Sequence, residues 1–261
     1  SESSTIDNTG NVYVSAHSGQ AMESTAASIG ISVANRDSYE PDYYAPFTAA
    51  AVPAEPTPGS TLVNSGNITV IATSDGSGEI DEAERSMAFA GAIGLSANGT
   101  VENSGAIAVT GTAADSGYIV TEVVGINTGA QPYIGGRGKR AKRIAPSYYG
   151  GDVFNSSAIT VTSTTGDGYA IRQNARGINA YGDVTNDGTI QVTATSGSAA
   201  YDNSIQAMGI YSTGDVTNNG SITVDATRGD SGYFSYGYGE GLGELNGGAG
   251  IFAYGSIDNA G

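Results

Sequence analysis

The chain has 261 residues, with 40 glycines, no cysteine and no tryptophan, and its 26 acidic against 10 basic side chains leave a formal charge of −16. That charge repels nucleic acid and anionic membrane surfaces, and no apolar run approaches the roughly 18 residues that would span a bilayer. Abundant Gly, Thr, Ser, Val and Ile, with little Leu, Lys or Glu, favour strands and turns over helices.

The first predicted element is Ile6-Asp7-Asn8-Thr9-Gly10-Asn11-Val12-Tyr13-Val14, a short run ending on Asn, a tight turn and a second alternating run. Nothing at Ser1 reads as a signal peptide, so the start is expected to be a mature or trimmed end. Looser copies follow around Asn64, Asn103 and Asn155. Two close copies occupy Gly182 to Val192 around Asn186 and Gly214 to Val224 around Asn218, and Asn259 opens the first half of another. A second anchor is a Gly followed by Ile or Leu, at Gly30, Gly94, Gly125, Gly177, Gly209 and Gly250. The commonest distances are 22 residues from Asn to Gly and nine from Gly to the next Asn, so the base repeat is 31 residues.

Each unit is predicted to hold three short strands: Val-x-Asn, Ile-x-Val, and one running into the Gly-Ile pair. Alternation in the second strand puts Ile and Val on one face and Thr, Ser or Gln on the other. No unit buries its apolar face alone, so units must stack. The connections are too short for crossover helices. The expected fold is all-β, one parallel β-helix spanning 1–261, with about six coils and right-handed by the rule for parallel connections. Asn8, Asn64, Asn103, Asn155, Asn186, Asn218 and Asn259 are expected to form a ladder at one corner.

This repeat style, Asn-x-Gly-x-Ile-x-Val with a downstream Gly-Ile, resembles the β-helical passenger regions of bacterial autotransporters and filamentous-haemagglutinin-like surface proteins. The resemblance implies a surface-displayed or secreted stalk, often adhesive. The lack of cysteine suits a chain that crosses membranes unfolded, where premature disulfides would trap it. Extracellular space or the bacterial cell surface is the expected location.

Function on a solenoid belongs to its insertions, which break the repeat near 35–61, 74–87, 127–152 and 228–248. The first carries Tyr43 and Tyr44 among acidic residues. The third carries Tyr133, Arg137, Lys139, Arg140, Lys142, Arg143, Tyr148 and Tyr149. Such loops either pair with each other or form a recognition surface for a host or neighbouring-cell protein or glycan. Arg228-Gly229-Asp230 spells an integrin-type motif at a turn that is rich in Gly, Asp and Ser in most coils. Asp75, Asp115, Asp167 and Asp230 could stack as ligands of a structural calcium, with solvated carboxylates the default. No other cofactor is expected. One histidine, His17, read as a surface-loop residue, and no cysteine argue against catalysis. Carboxylates with Arg172 and Arg176 leave polysaccharide cleavage as a remote reading. The chain starts and stops in the same phase of the repeat, so end-to-end stacking of copies into a filament is the alternative function.

Overall fold

The computed structural model describes residues 5–33, 60–77, 86–128, 150–231 and 247–261. These residues form nineteen strands and no helix, arranged in three parallel sheets whose strands stack in chain order. The first sheet holds the Asn-terminated strands β1 (Thr5–Asn8), β4 (Thr61–Asn64), β7 (Val101–Asn103), β10 (Val153–Asn155), β13 (Val184–Asn186), β16 (Val216–Asn218) and β19 (Ile257–Asn259). The second holds β2 (Val12–Ser18), β5 (Ile68–Ser74), β8 (Ile107–Ala113), β11 (Ile159–Thr165), β14 (Thr189–Thr195) and β17 (Ser221–Thr227). The third holds β3 (Glu23–Val33), β6 (Met87–Ala97), β9 (Ser116–Thr128), β12 (Gly168–Ala180), β15 (Ala199–Ser212) and β18 (Gly247–Ala253). Each strand pairs with the strand three places later in the chain, the topology of a parallel β-solenoid.

Register places like on like. Ile68, Ile107, Ile159 and Ile190 are aligned and fully buried, as are Val70, Val109, Val161 and Val192. Each such side chain contributes about 1.5–3 kcal/mol by leaving water. No single turn of the chain could obtain this burial alone, which makes stacking the source of the fold's stability.

The third strand departs from its expected form. It is not short: β9 and β12 run 13 residues and β15 runs 14. The glycine column lets the strand turn a corner without ending. Pairing runs from Ile29↔Ile93 to Ile31↔Leu95 and skips Gly30 and Gly94 between them. A Cβ on Gly30 would lie 2.5 Å from the Gly94 carbonyl oxygen and 2.8 Å from Ile68 Cγ2, and one on Gly94 would lie 2.6 Å from both the Gly125 carbonyl oxygen and Ile107 Cγ2. Glycine is required there because the backbone passes against an isoleucine of the second sheet. The corner also shifts the alternation: Ala175 and Ile178, on either side of Gly177, are both buried.

The interior between the second and third sheets is partly polar. Ser74 donates to Ser24 at 2.8 Å, Thr121 and Ser163 are 2.8 Å apart, and Gln173 donates to Ser163 at 2.9 Å. Paired in this way, buried hydroxyls avoid the cost of an unmet polar group. The one extra residue in the span from Asn186 to Gly209 is a bulge: Ala199 faces Gly168 and Asp202 faces Ala170, so two residues of β15 oppose Tyr169.

Candidate functional site

The corner after the first sheet is built from asparagine. Asn8 donates through Nδ2 to Asn64 Oδ1, Asn64 to Asn103, Asn103 to Asn155, Asn155 to Asn186 and Asn186 to Asn218, each at 2.7 Å, and Asn218 donates to Asn259 at 2.6 Å. The second Nδ2 hydrogen turns back to a carbonyl two residues on, as from Asn64 to Gly66 at 2.9 Å and from Asn218 to Gly220 at 2.9 Å. The inner five are buried, while Asn259 is exposed. The glycines two residues later do not adopt left-handed backbone: among the described glycines only Gly76 and Gly247 have positive φ. Close approach sets their identity instead, since a Cβ on Gly66 or Gly105 would collide with the carbonyl of the glycine stacked against it.

A second row went unrecognised at the sequence level, although Gly-Asp-Val recurs at Asp152, Asp183 and Asp215. Asp152 Oδ1 accepts from the Asp183 N–H at 2.9 Å, Asp183 from the Asp215 N–H at 2.8 Å, and Asp215 from the Ser256 N–H at 2.7 Å. The hydrogen bonds from Ser256 hold the Asp215 carboxyl below its usual range. Carboxylates at this corner therefore cap backbone donors from one turn of chain to the next.

The four aspartates considered for calcium do not form one row. Asp115 Oδ1 accepts from the Asp167 N–H at 2.9 Å, and Asp167 Oδ1 from the Ser198 N–H at 2.7 Å. Ser198 thus follows Asp167 in that column. Asp75 lies one step earlier, level with Ala114, whose N–H donates to the Ser74 carbonyl. Among the described residues no group of three or more His, Cys, Asp or Glu is placed to hold a metal ion. His17 is not in a loop: it lies on β2, exposed, with Nε2 3.2 Å from Asp75 Oδ2.

Arg228 and Asp230 are exposed and Gly229 is half-buried. The motif is tied down by its backbone: the Gly229 N–H donates to the Ser196 carbonyl at 3.1 Å and the Asp230 carbonyl accepts from the Ala199 N–H at 2.8 Å. Tyr43, Tyr44, Tyr133, Arg137, Lys139, Arg140, Lys142, Arg143, Tyr148 and Tyr149 all lie outside the described residues, and so do the middles of the four insertions.

One cluster of ionisable groups gathers on the outward face of the third sheet. Glu122 from β9 and Arg172 and Arg176 from β12 come together there. Burial pushes the Glu122 carboxyl up, and the two guanidiniums offset part of that rise. Burial lowers Arg176, with Glu122 opposing. Arg176 donates to Asn179 Oδ1 at 2.8 Å, Asn179 donates to Asn127 Oδ1 at 2.7 Å, and the guanidinium sits 5.1 Å from the Tyr211 ring centre. Tyr211 stacks on Phe252 at 5.6 Å, and Tyr254 meets both rings edge-on. Arg172 and Arg176 thus converge on a carboxylate, that of Glu122 from the neighbouring strand. The ring and guanidinium contacts suit packing of an outer face. No nucleophile is paired with a base in this cluster.

No family model matches the chain, and neither does any curated protein or solved structure.

Proposed function

We propose that this chain is a non-catalytic structural and adhesive protein of the extracellular space or bacterial surface, a β-helical stalk that carries its recognition chemistry outside the coil. We read the three sheets as six right-handed coils, the hand favoured for parallel connections. The observation that carries the proposal is how the coil's polar side chains are used. The asparagine and aspartate rows and the inward hydroxyls bond from one turn to the next. Residues engaged in this way serve length and stiffness, which are the requirements of a stalk. The insertions, with their tyrosines and the basic run from Arg137 to Arg143, are left to carry selectivity.

The test is retention of the fluorescently labelled chain on bacterial and animal cells and on a glycan array, beside a version whose residues 131–148 are replaced by a Gly-Ser linker. Retention of the intact chain, lost with the linker at unchanged circular dichroism, is the expected result. An intact chain that binds nothing across these surfaces, or that releases reducing ends from a polysaccharide panel, would overturn the proposal.

A further inference from the structure

Among the described residues, the outward face of the second sheet stands out for its threonines. Its six strands point eighteen side chains away from the core, three from each strand, and eleven of these are threonine. On β11 they are Thr160, Thr162 and Thr164. Thr193 and Thr195 lie level with the last two on β14, and Thr110 and Thr112 on β8. Registration is residue for residue, so the threonines form straight columns about 4.8 Å apart from strand to strand, with about 6.6 Å between alternate residues along a strand.

Two further observations mark the face. Inward hydroxyls such as those of Ser74, Thr121 and Ser163 are paired, although the buried Thr165 hydroxyl is not. None of the eleven outward threonine hydroxyls is hydrogen-bonded to another group among the described residues. The face also carries few charge-bearing side chains in a chain with 26 acidic residues: among the eighteen there is one carboxylate, Asp225, one imidazole, His17, and no Lys, Arg or Glu. Strand preference explains threonine at exposed positions. It does not explain why carboxylates, abundant in this chain, are nearly absent from the face. The carboxylates are instead concentrated at the corners, in the rows through Asp115 and Asp183.

We propose that this face binds the surface of an ice crystal. Threonine is stiff at χ1, so each methyl and hydroxyl holds a restricted place on the sheet. The spacing of about 4.8 Å between columns lies near the short oxygen repeat of hexagonal ice, and the spacing of about 6.6 Å along a strand falls somewhat below its long one. Uncommitted hydroxyls anchor waters at those positions, and methyls between them leave those waters bonding mainly to one another. A sparsely charged face complements an uncharged solid, because a charge there would hold its own hydration shell and break the lattice. The inference depends on the fold and not on the adhesive reading above.

The experiment measures freezing and melting points of solutions of the full chain by nanolitre osmometry, and its incorporation into ice grown slowly on a cold finger. The intact chain should open a gap between the two temperatures and concentrate in the ice. Thr162→Lys, at the centre of the array, should lose both effects at unchanged circular dichroism. Thr185→Lys, on the outside of the first sheet, should keep them. If Thr162→Lys does not fold, Thr193→Lys on the neighbouring strand probes the same surface. Exclusion of the intact chain from ice, or full activity in the folded central variant, overturns the proposal. So does a face that instead retains the chain on insoluble neutral polysaccharide, or that pairs two copies in sedimentation, in the absence of any freezing gap.

Discussion

Replacing Asn186 by alanine tests whether the asparagine row holds the turns together. Asn186 is fully buried and takes part in three hydrogen bonds: it accepts from Asn155 at 2.7 Å and donates to Asn218 at 2.7 Å and to the Gly188 carbonyl at 3.1 Å. Alanine removes all three and leaves an Asn155 N–H and the Asn218 Oδ1 buried without their partner. Each orphaned buried group costs about 1–3 kcal/mol, so the variant should lose about 3–5 kcal/mol. Asn259→Ala is the internal comparison. Asn259 is exposed and accepts one bond from Asn218, so water replaces it and the loss should stay under about 1 kcal/mol. Equilibrium urea unfolding followed by circular dichroism reads both. A fall in m-value for Asn186→Ala would show the stack separating into parts that unfold independently. Equal losses at the two positions, or a loss below about 1 kcal/mol at Asn186, would refute the view that the row bears stability.

Gly177→Ala should cost about 3 kcal/mol, because its Cβ would lie 2.6 Å from the Gly209 carbonyl oxygen and collide with Ile190, whereas Gly250→Ala, with nothing within 4 Å, should be near neutral in the same urea assay. Glu122 has a raised carboxyl pKa in the fold, so its contribution to stability is full below about 4.5 and is lost as pH rises through the folded value. Glu122→Gln should therefore flatten the pH dependence of unfolding above about pH 4.5; an unchanged profile would show that the carboxyl is not desolvated. The aspartates accept backbone N–H groups and form no metal cluster among the described residues, so excess EDTA should leave the thermal midpoint where it was; a clear drop would place a structural cation in the stack.

The Asn and Gly-Ile anchors were legible in sequence because each is enforced locally in every repeat. A ladder position admits only a side chain that both donates and accepts. The Gly177 position admits no Cβ beside Ile190. The long third strands were not legible, since the corner at each glycine breaks the alternation by which strands are recognised: Val123 and Ile126 both point inward across Gly125. The aspartate row was visible as Gly-Asp-Val but carried no signal of its role, because an Asp in a turn ordinarily faces water. The Glu122–Arg176 cluster and the threonine columns depend on which residue stands level with which across strands far apart in the chain, and that needs register as well as repeat.

Register in this fold is fixed at several points around each turn of the chain, which explains how insertions of unequal length are tolerated. From one strand to its neighbour the chain advances 31 residues between Asn155 and Asn186 but 52 between Asn103 and Asn155, yet the ladder distance is 2.7 Å in both cases. A longer connection adds only about 0.6 kcal/mol of closure entropy per doubling. The isoleucine and valine columns and the asparagine row, joined between Asp152 and Ser256 by the aspartate row, oppose that cost. Loops can therefore change without disturbing the coil. The coil's own faces are constrained in the opposite sense: a side chain placed there is repeated at strand spacing along the stack. Carboxylates placed at corners find backbone N–H donors. On the second sheet a column of carboxylates would face one another about 4.8 Å apart without donors, which is a physical reason for threonine to predominate there, with Asp225 the lone carboxylate, on the last strand of that sheet.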